Sequence, residues 1–372
     1  MRFETKAIHS GAHPDEATGA IAPPIHLSTT FERTADARPL HGFGYVRDEN
    51  PTQERLEDAL AAIDSGAAAL AFGSGMAAAT AIVQSLPRGA HVLLPDDSYY
   101  GVRVLATDFF ESWGLTYDLV AMQDLDAVRR ALKQETKLIW TESPSNPLMT
   151  IVDLAALASL AHERGALFGV DNTFATPALQ RPIELGADLV LHSTTKYLGG
   201  HSDVQGGGVA FARRDAFYER VLHTRSTTGG VASPFNSWLV LRGIRSLAAR
   251  KRVHCENARA QAAFLEGNAR VGAVHYPGLA SHPGHEIAKR QMSDFGGMVS
   301  FRVRGGRDAA IAVAGKTNVF IRATSLGGTE SLIEHRASSE GPATRTPDDL
   351  LRMSVGLEHV DDLIADLEQA LR

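Results

Sequence analysis

Short apolar segments alternate with helix-like segments from residue 51 onward, and this alternation limits the possible fold more than any other feature. The apolar segments fit buried β-strands. Between them lies a clear helical pattern at 153–164, with Asp153 as its N-cap and Gly165 as its stop. Strands that alternate with helices indicate βαβ units and an α/β fold with a mostly parallel sheet. The five predicted strands are 68–72, 91–94, 137–141, 166–170 and 187–191.

Polar and glycine residues follow each of these strands directly. Because the carboxyl ends of parallel strands meet at one edge of the sheet, we expect these residues to converge on one ligand site. The segments concerned are Gly73-Ser-Gly-Met, Pro95-Asp-Asp-Ser-Tyr-Tyr, Glu142-Ser-Pro-Ser-Asn-Pro, Asp171-Asn-Thr-Phe and His192-Ser-Thr-Thr-Lys.

The length of 372 residues, 44% of them hydrophobic, predicts two domains. Residues 1–50 have no sustained periodicity, so we expect an irregular arm that packs on something else. A large domain would then cover 51–232, starting with a helix at 51–63 that ends near Gly66. A smaller C-terminal α+β domain would cover 233–372. Its predicted elements are one long helix at 233–265, strands at 297–303, 319–323 and 350–355, and a final helix at 360–371.

Charge and cysteine content exclude several classes of protein. The 37 basic and 43 acidic residues give a net charge of -6, so a nucleic-acid partner is not expected. Cys255 is the single cysteine, which rules out an internal disulfide and a cysteine metal cluster and favours a reducing, cytoplasmic location. The uncharged stretch 65–87 is long enough to span a bilayer, but glycines interrupt it and alanine dominates it. We therefore expect neither a membrane span nor a metal site.

Lys196 lies just past the end of the predicted strand 187–191. A lysine desolvated at such a position has a lowered pKa and can act as a nucleophile or form a Schiff base. The alternative is a solvated lysine on a loop. A lysine, an aspartate, a phosphate cradle and an aromatic plane are together what pyridoxal phosphate (PLP) requires.

The other segments offer those groups, each with an ordinary structural alternative. Gly73-Ser-Gly75 at a helix N-terminus suits a phosphate, or is a plain tight turn. Ser193 and Thr195 are further phosphate donors or simple loop hydroxyls. Asp171 would pair with the pyridinium or cap a helix, and Tyr99 or Tyr100 would stack on the pyridine ring or merely pack.

Seven motifs together resemble the Cys/Met-metabolism PLP-dependent enzymes of fold-type I, in the order that family has them and over essentially the whole chain. They are Tyr45-Val-Arg with Asn50-Pro-Thr, Ser74-Gly-Met-Ala-Ala, Glu142-Ser-Pro-Ser-Asn-Pro, Asp171-Asn-Thr-Phe-Ala-Thr-Pro, Ser193-Thr-Thr-Lys-Tyr-Leu-Gly-Gly-His-Ser-Asp, Ser325-Leu-Gly-Gly-Thr-Glu-Ser-Leu and Leu351-Arg-Met-Ser-Val-Gly-Leu-Glu.

The resemblance implies a role for each matching residue. Lys196 would bind the cofactor as a Schiff base and later move protons, with Asp171 and Tyr99 as its catalytic partners. Cofactor contacts would come from Gly75, Met76, Ser193 and Thr195, and from Tyr45 and Arg47 of a neighbouring subunit. Substrate contacts would come from Arg352, Asn146, Ser325 and Glu330.

Three positions depart from the family pattern. Asp48 and Glu49 add charge near the expected substrate entrance. The family's Tyr-Gly-Gly reads Tyr99-Tyr-Gly here, which leaves open which tyrosine stacks on the cofactor. The usual His-Pro-Ala reads His335-Arg-Ala, which changes the local substrate contacts.

The resemblance further implies γ-elimination on cystathionine, which gives cysteine, 2-oxobutanoate and ammonia, in a homotetramer built as a dimer of dimers. Alternatives within the family are γ-replacement of an O-acylhomoserine by cysteine, then sulfhydrylation of O-acetylhomoserine or γ-elimination on methionine. A hypothesis from another class is a non-catalytic nucleotide-binding module that uses Gly73-Ser-Gly75 as its phosphate loop. A dinucleotide fingerprint is absent from that segment.

Overall fold

The computed structural model describes residues 1–341 and 344–372, and within them it contains two β-sheets. The larger sheet has the order β1-β7-β6-β5-β4-β2-β3. Strand β7 runs antiparallel to both of its neighbours and all other pairs are parallel. The predicted α/β class with a mostly parallel sheet is therefore confirmed. Strands β1 to β7 are Ala68–Phe72, His91–Pro95, Thr116–Val120, Thr136–Glu142, Leu167–Asp171, Leu189–His192 and Gly207–Phe211.

Helices cover both faces of this sheet, and several begin where capping chemistry predicts. The Asn50 side chain accepts the Thr52 N–H at 2.9 Å and starts α2. The Asp153 carboxylate accepts the Ala156 N–H at 3.1 Å and starts α6. Helices α1 to α7 are Phe3–His9, Pro51–Ile63, Gly75–Gln84, Tyr100–Phe109, Leu125–Ala131, Leu154–Glu163 and Ala216–Thr228, with 3₁₀ turns at Glu111–Trp113 and Pro182–Leu185.

The smaller sheet belongs to the C-terminal part of the chain. Its order is β10-β11-β12-β9-β8, and only the β10–β11 pair is parallel. Three long helices cover one face of it and share its apolar core. Strands β8 to β12 are Val271–His275, Met298–Val303, Ile321–Arg322, Leu332–His335 and Leu350–Ser354, and helices α8 to α13 are Pro234–Ile244, Leu247–Glu266, His285–Gln291, Gly306–Lys316, Arg336–Glu340 and Val360–Ala370.

The single helix predicted at 233–265 is wrong, because the chain breaks between Ile244 and Leu247. Helix α8 buries Leu241 and Ile244 in the same core as α2, whereas α9 packs its Ala258 and Leu265 against the smaller sheet. One straight helix could not serve both cores. The predicted domain boundary at residue 233 stays a prediction.

Two other predictions differ in detail. The arm 1–50 is mostly irregular but contains α1, a short helix that is held because Phe3 and Ala7 pack into the core formed by α2. The strand predicted at 319–323 shrinks to Ile321–Arg322. In the described part of the chain, no helix combines the length and the apolar character needed to cross a membrane.

Candidate active site

A cavity of about 570 Å³ opens at the carboxyl edge of the larger sheet. The start of α3 and the residues after β4, β5 and β6 form one side of it. Segments of the C-terminal part form the other side. The convergence expected from the sequence is therefore present, and it includes Gly75, Asp171, Lys196 and Arg352.

Lys196 lies in the segment that follows β6, is half-buried and faces the cavity. Its Nζ donates a hydrogen bond to Ser325 Oγ at 2.7 Å. Burial, helped by the positive charge of Arg352, lowers the pKa of Lys196 to about 8. A substantial fraction of the amine is therefore neutral near physiological pH, as a nucleophile requires.

Two carboxyl groups lie side by side at the ends of neighbouring strands, the buried Glu142 on β4 and the half-buried Asp171 on β5. Burial raises the pKa of Asp171, although its carboxylate accepts the Thr173 N–H at 3.0 Å. Burial and the charge of Asp171 raise the pKa of Glu142 well above its usual range. Asp171 makes no salt bridge to any residue that the structure describes. A half-buried anion of this kind favours a bound cation.

The N-terminus of α3 forms the cradle proposed for a phosphate. Ser74 caps the helix by accepting the Ala77 N–H at 3.0 Å, and the Gly75 and Met76 N–H groups precede the first intrahelical bonds. A Cβ on Gly75 would lie 3.0 Å from the Ser193 side chain, so a side chain here would fill the cradle. The Thr195 hydroxyl also lines the cavity, but it donates to Gly206 O at 3.1 Å and accepts the Gly206 N–H at 3.0 Å.

Both tyrosines in question line the cavity, and their surroundings differ. The Tyr99 N–H donates to Glu142 Oε2 at 2.9 Å. A Cβ added to Gly101 would lie 2.7 Å from the Tyr99 ring and 3.0 Å from the sulfur of Met76 at the α3 N-terminus, so little space separates these groups. The Tyr100 ring instead lies under the guanidinium of Arg103, 5.8 Å from its centroid. This arrangement favours Tyr99 as the stacking residue.

Arg352 lies on β12 and is 3% exposed. Its Nη1 donates to Asn146 Oδ1 at 3.0 Å, and its Nη2 donates to Ser325 O at 3.0 Å and to Glu334 Oε2 at 2.6 Å. The predicted substrate residues Arg352, Asn146 and Ser325 are therefore brought together. Ser325 also joins this group to Lys196, since its hydroxyl accepts from that amine.

Three predicted site residues lie outside the cavity lining of this chain. Arg47 donates from Nη1 to Ser226 O at 2.9 Å, with its guanidinium 5.5 Å from the Tyr45 ring centroid. The Glu330 carboxylate accepts a hydrogen bond from the Ser202 hydroxyl. A role for Tyr45 and Arg47 in a neighbouring subunit, and for Glu330 at the substrate, stays a prediction.

Three charged cavity residues were not assigned to the site by sequence reasoning: Glu142, Arg336 and Glu340. Glu142 belongs to a recognised motif, but nothing in the sequence shows that its carboxylate supports Tyr99. Arg336 was visible as a departure from the family pattern. Its pairing with Glu340 needs the fold, since only the helix α12 places them i, i+4 on the cavity wall.

These residues fit pyridoxal phosphate. The cradle at Gly75 has room only while no side chain is present. Asp171 is a half-buried anion without a salt bridge in the described part of the chain, and the Lys196 amine opens onto the same cavity. Phosphate, pyridinium and aldehyde each have a matching protein group.

A family model described as "Cys/Met metabolism PLP-dependent enzyme" matches residues 4–372. The chain belongs to this family. The resemblance read from the motifs is thereby confirmed, and the alternative of a non-catalytic nucleotide-binding module is wrong. The chain is a PLP-dependent enzyme of sulfur amino-acid metabolism.

Relatives within the family carry different reaction names. The chain is 50% identical to a cystathionine γ-synthase of Mycobacterium tuberculosis (strain H37Rv), over 99% of this chain and 96% of the relative. It is 43% identical to a cystathionine β-lyase of Coxiella burnetii, over 99% and 97%. A solved structure of cystathionine γ-lyase from Lactobacillus plantarum, complexed with L-serine, superposes with a TM-score of 0.95 at 39% identity, over 100% and 98%. A structure of metB from Corynebacterium glutamicum gives 0.97 at 43% identity, also over 100% and 98%.

Proposed function

We propose that the enzyme acts at the γ-carbon of a homoserine-derived amino acid and performs γ-elimination on cystathionine, the reaction of a cystathionine γ-lyase. The observation that carries the proposal is the position of Ser325, whose hydroxyl accepts from Lys196 Nζ and whose carbonyl accepts from Arg352 Nη2. The Lys196 amine as base and the Arg352 guanidinium as carboxylate anchor are thus both hydrogen-bonded to Ser325. Such spacing suits an α-amino acid whose Cα proton must meet the amine.

The bound cofactor supplies an electron sink that stabilises negative charge on the substrate carbons. The chain's own residues provide the rest. Arg352, held by Asn146, would anchor the α-carboxylate and orient Cα. The Lys196 amine would take the Cα proton and then a proton from Cβ, because it opens onto the cavity next to the Ser325–Arg352 group. Asp171 would pair with the pyridinium nitrogen and keep it charged, and Tyr99 would stack on the pyridine ring.

A second candidate is γ-replacement, the reaction of a cystathionine γ-synthase, which joins an activated homoserine to cysteine. The favouring observation is that mycobacterial relatives at 49 and 50% identity bear that name. Both reactions need the same proton transfers by Lys196. The catalytic groups are therefore compatible with either reaction. The two reactions differ in whether cysteine becomes joined to the γ-carbon.

Product analysis separates the two candidates. The purified holoenzyme is given cystathionine alone, or an O-acylhomoserine together with cysteine, and the products are quantified. Release of cysteine and 2-oxobutanoate from cystathionine supports the lyase, whereas net formation of cystathionine supports the synthase. Lys196→Ala is the control and should be inactive in both assays. A wild-type enzyme that attacks neither substrate would refute γ-carbon chemistry.

Assembly and location are proposed on the family resemblance and on the sequence. The proposed assembly is a homotetramer built as a dimer of dimers, and the proposed location is the cytoplasm. The buried free thiol of Cys255 is compatible with a reducing compartment.

A further inference from the structure

A second buried guanidinium stands on the cavity wall beside Arg352. Arg336 is 6% exposed, lines the cavity and lies between two carboxylates. Its Nη1 is 3.3 Å from Glu334 Oε2, and its Nη2 donates to Glu340 Oε1 at 2.8 Å. The family pattern has proline at this position, which carries no charge. The charge at this position therefore departs from the family pattern.

The Arg336 guanidinium is held in place by a network of buried and half-buried groups. Glu340, which holds its Nη2, also accepts from Thr344 Oγ1 at 2.7 Å and from Thr346 Oγ1 at 3.2 Å. Arg103 Nη2 approaches the same carboxylate at 3.6 Å. A side chain fixed by this many partners is preorganised, so a ligand that it binds need not order it first.

One donor of this guanidinium is left over. Among residues 1–341 and 344–372, no acceptor lies within hydrogen-bond distance of the buried Arg336 Nε–H. A buried N–H without an acceptor is costly, so a ligand carboxylate that reached it would gain a charge-assisted hydrogen bond. Glu334, which pairs with both Arg336 and Arg352, is ionised. The positive charges of Arg352 and Arg336 lower the pKa of Glu334, although burial opposes them.

Arg352 and Arg336 both line the cavity and are joined through Glu334, and Arg336 is paired on its other side with Glu340. A substrate α-carboxylate needs only one of the two arginines. The positive charge of Arg336 also reaches the reactive amine, since it contributes to the lowered pKa of Lys196. A second anionic group on the substrate would lie within the field of Arg336 without competing for Arg352.

We propose that Arg336 is a specificity-determining residue that binds a second carboxylate, carried by the γ-substituent of the substrate. This inference rests on the proposed function and narrows its substrate class. Substrates whose γ-substituent ends in a carboxylate, such as cystathionine itself or a succinyl ester of homoserine, are preferred over those with a neutral substituent, such as the acetyl ester.

The first test compares two esters that differ in one charge. Wild-type holoenzyme and Arg336→Met are assayed with O-succinyl- and O-acetyl-homoserine, each with cysteine. We expect Arg336→Met to lower kcat/KM for the succinyl ester by about 10- to 100-fold, the loss of one charge-assisted hydrogen bond, and to change the acetyl ester far less. Arg336→Lys should recover part of the preference. Equal losses for both esters would overturn the proposal and leave Arg336 as a structural ion pair.

The second test measures the binding of substrate analogues in the absence of turnover. Calorimetry on the holoenzyme measures the Kd of L-2-aminosuberate, a sulfur-free chain of cystathionine's length with a distal carboxylate, against L-2-aminooctanoate, its neutral counterpart. Weaker binding of the dicarboxylate alone by Arg336→Met supports the inference. That result would stand even if neither cystathionine nor an ester were turned over, an outcome that would instead refute the proposed function.

Matched variants keep the test interpretable. Arg103→Met removes a cation from the same Glu340 network at a residue outside the cavity lining, so it should leave the preference for the dicarboxylate unchanged. If Arg336→Met fails to fold because Glu340 is left unpaired, the double variant Arg336→Met/Glu340→Gln removes both charges together. An unchanged preference in that folded double variant would overturn the proposal.

Discussion

At the scale of single residues, burial sets the chemistry of the Lys196 amine. Its lowered pKa of about 8 leaves the amine charged below that pH and neutral above it. Only the neutral amine can attack the cofactor aldehyde. In cofactor-free protein, the rate of PLP attachment should therefore rise about tenfold per pH unit below pH 8 and level off above it.

Stopped-flow absorbance after mixing with PLP between pH 6 and 10 measures this rate. The Arg352→Met variant is a useful companion, because loss of that positive charge should raise the pKa of Lys196 and shift the midpoint upward. A midpoint near the ordinary lysine value of 10.5 in the wild type would show that the amine is not desolvated.

Asp171 gives a second prediction at this scale. Removing its charge should not lower the stability of the cofactor-free protein but should lower the activity of the enzyme. Its raised pKa means that the unfolded chain ionises more readily than the folded one, so the half-buried charge destabilises the cofactor-free protein above the ordinary pKa of aspartate. Asp171→Asn keeps an acceptor for the Thr173 N–H and removes that charge. We expect equal or higher stability of the cofactor-free protein in urea, with kcat about 10²- to 10³-fold lower. An unchanged kcat would reduce Asp171 to a structural cap.

At the scale of elements, the sequence predicted what local patterns determine. Helix α2 begins and ends as expected, and α6 starts after its Asp153 cap, since capping and apolar periodicity are local. Strand β7 was missed. Its first residues Gly207 and Gly208 have the composition of a loop, and only the neighbouring strands β1 and β6 make them a strand.

The glycine at the start of β7 explains how this strand positions α3. A Cβ on Gly207 would collide with the Ser74 carbonyl oxygen and lie 2.8 Å from Gly75 N, both at the α3 N-terminus. Gly207→Ala should therefore displace the phosphate cradle. We expect a stability loss of about 1–3 kcal/mol, as for other overpacked sites, and PLP binding weakened by about tenfold or more.

Equilibrium dialysis with PLP and urea unfolding of the cofactor-free protein measure the two effects of Gly207→Ala. The control is Gly315→Ala in α11, where an added Cβ meets no atom within 4 Å. If both variants retain the cofactor as the wild type does, the close approach of β7 to α3 is not needed for the cradle.

At the scale of the whole molecule, the sequence predicted which residues share one edge of the larger sheet, because the carboxyl ends of parallel strands lie at the same edge. It did not predict the ion network of Arg336, Glu334 and Arg352 from spacing alone. Those residues lie on α12, β11 and β12, and Arg336 and Arg352 reach the cavity only because the smaller sheet packs beside the larger one. Long-range packing of this kind leaves no periodic signal in the chain.

The arm supplies the prediction that belongs to the assembly. Tyr45 is 43% exposed and Arg47 is also exposed, and neither lines the Lys196 cavity of its own chain. If this phenol and guanidinium bind a cofactor phosphate, as the family resemblance implies, they must reach the cavity of another subunit. The alternative is a surface Arg47 worth no more than about 1 kcal/mol.

Complementation distinguishes these possibilities. Arg47→Ala and Lys196→Ala variants are mixed under conditions that let subunits exchange, and activity is compared with that of each parent. If the arm acts across the subunit boundary, some hybrid dimers place an intact Lys196 opposite an intact Arg47, and those dimers regain one working site of two. If Arg47 acts within its own chain, every subunit with Lys196 still lacks Arg47, so activity stays at the level of the Arg47→Ala parent. Exchange itself is verified by native mass spectrometry of the mixture, because only a verified hybrid without activity would contradict a shared site.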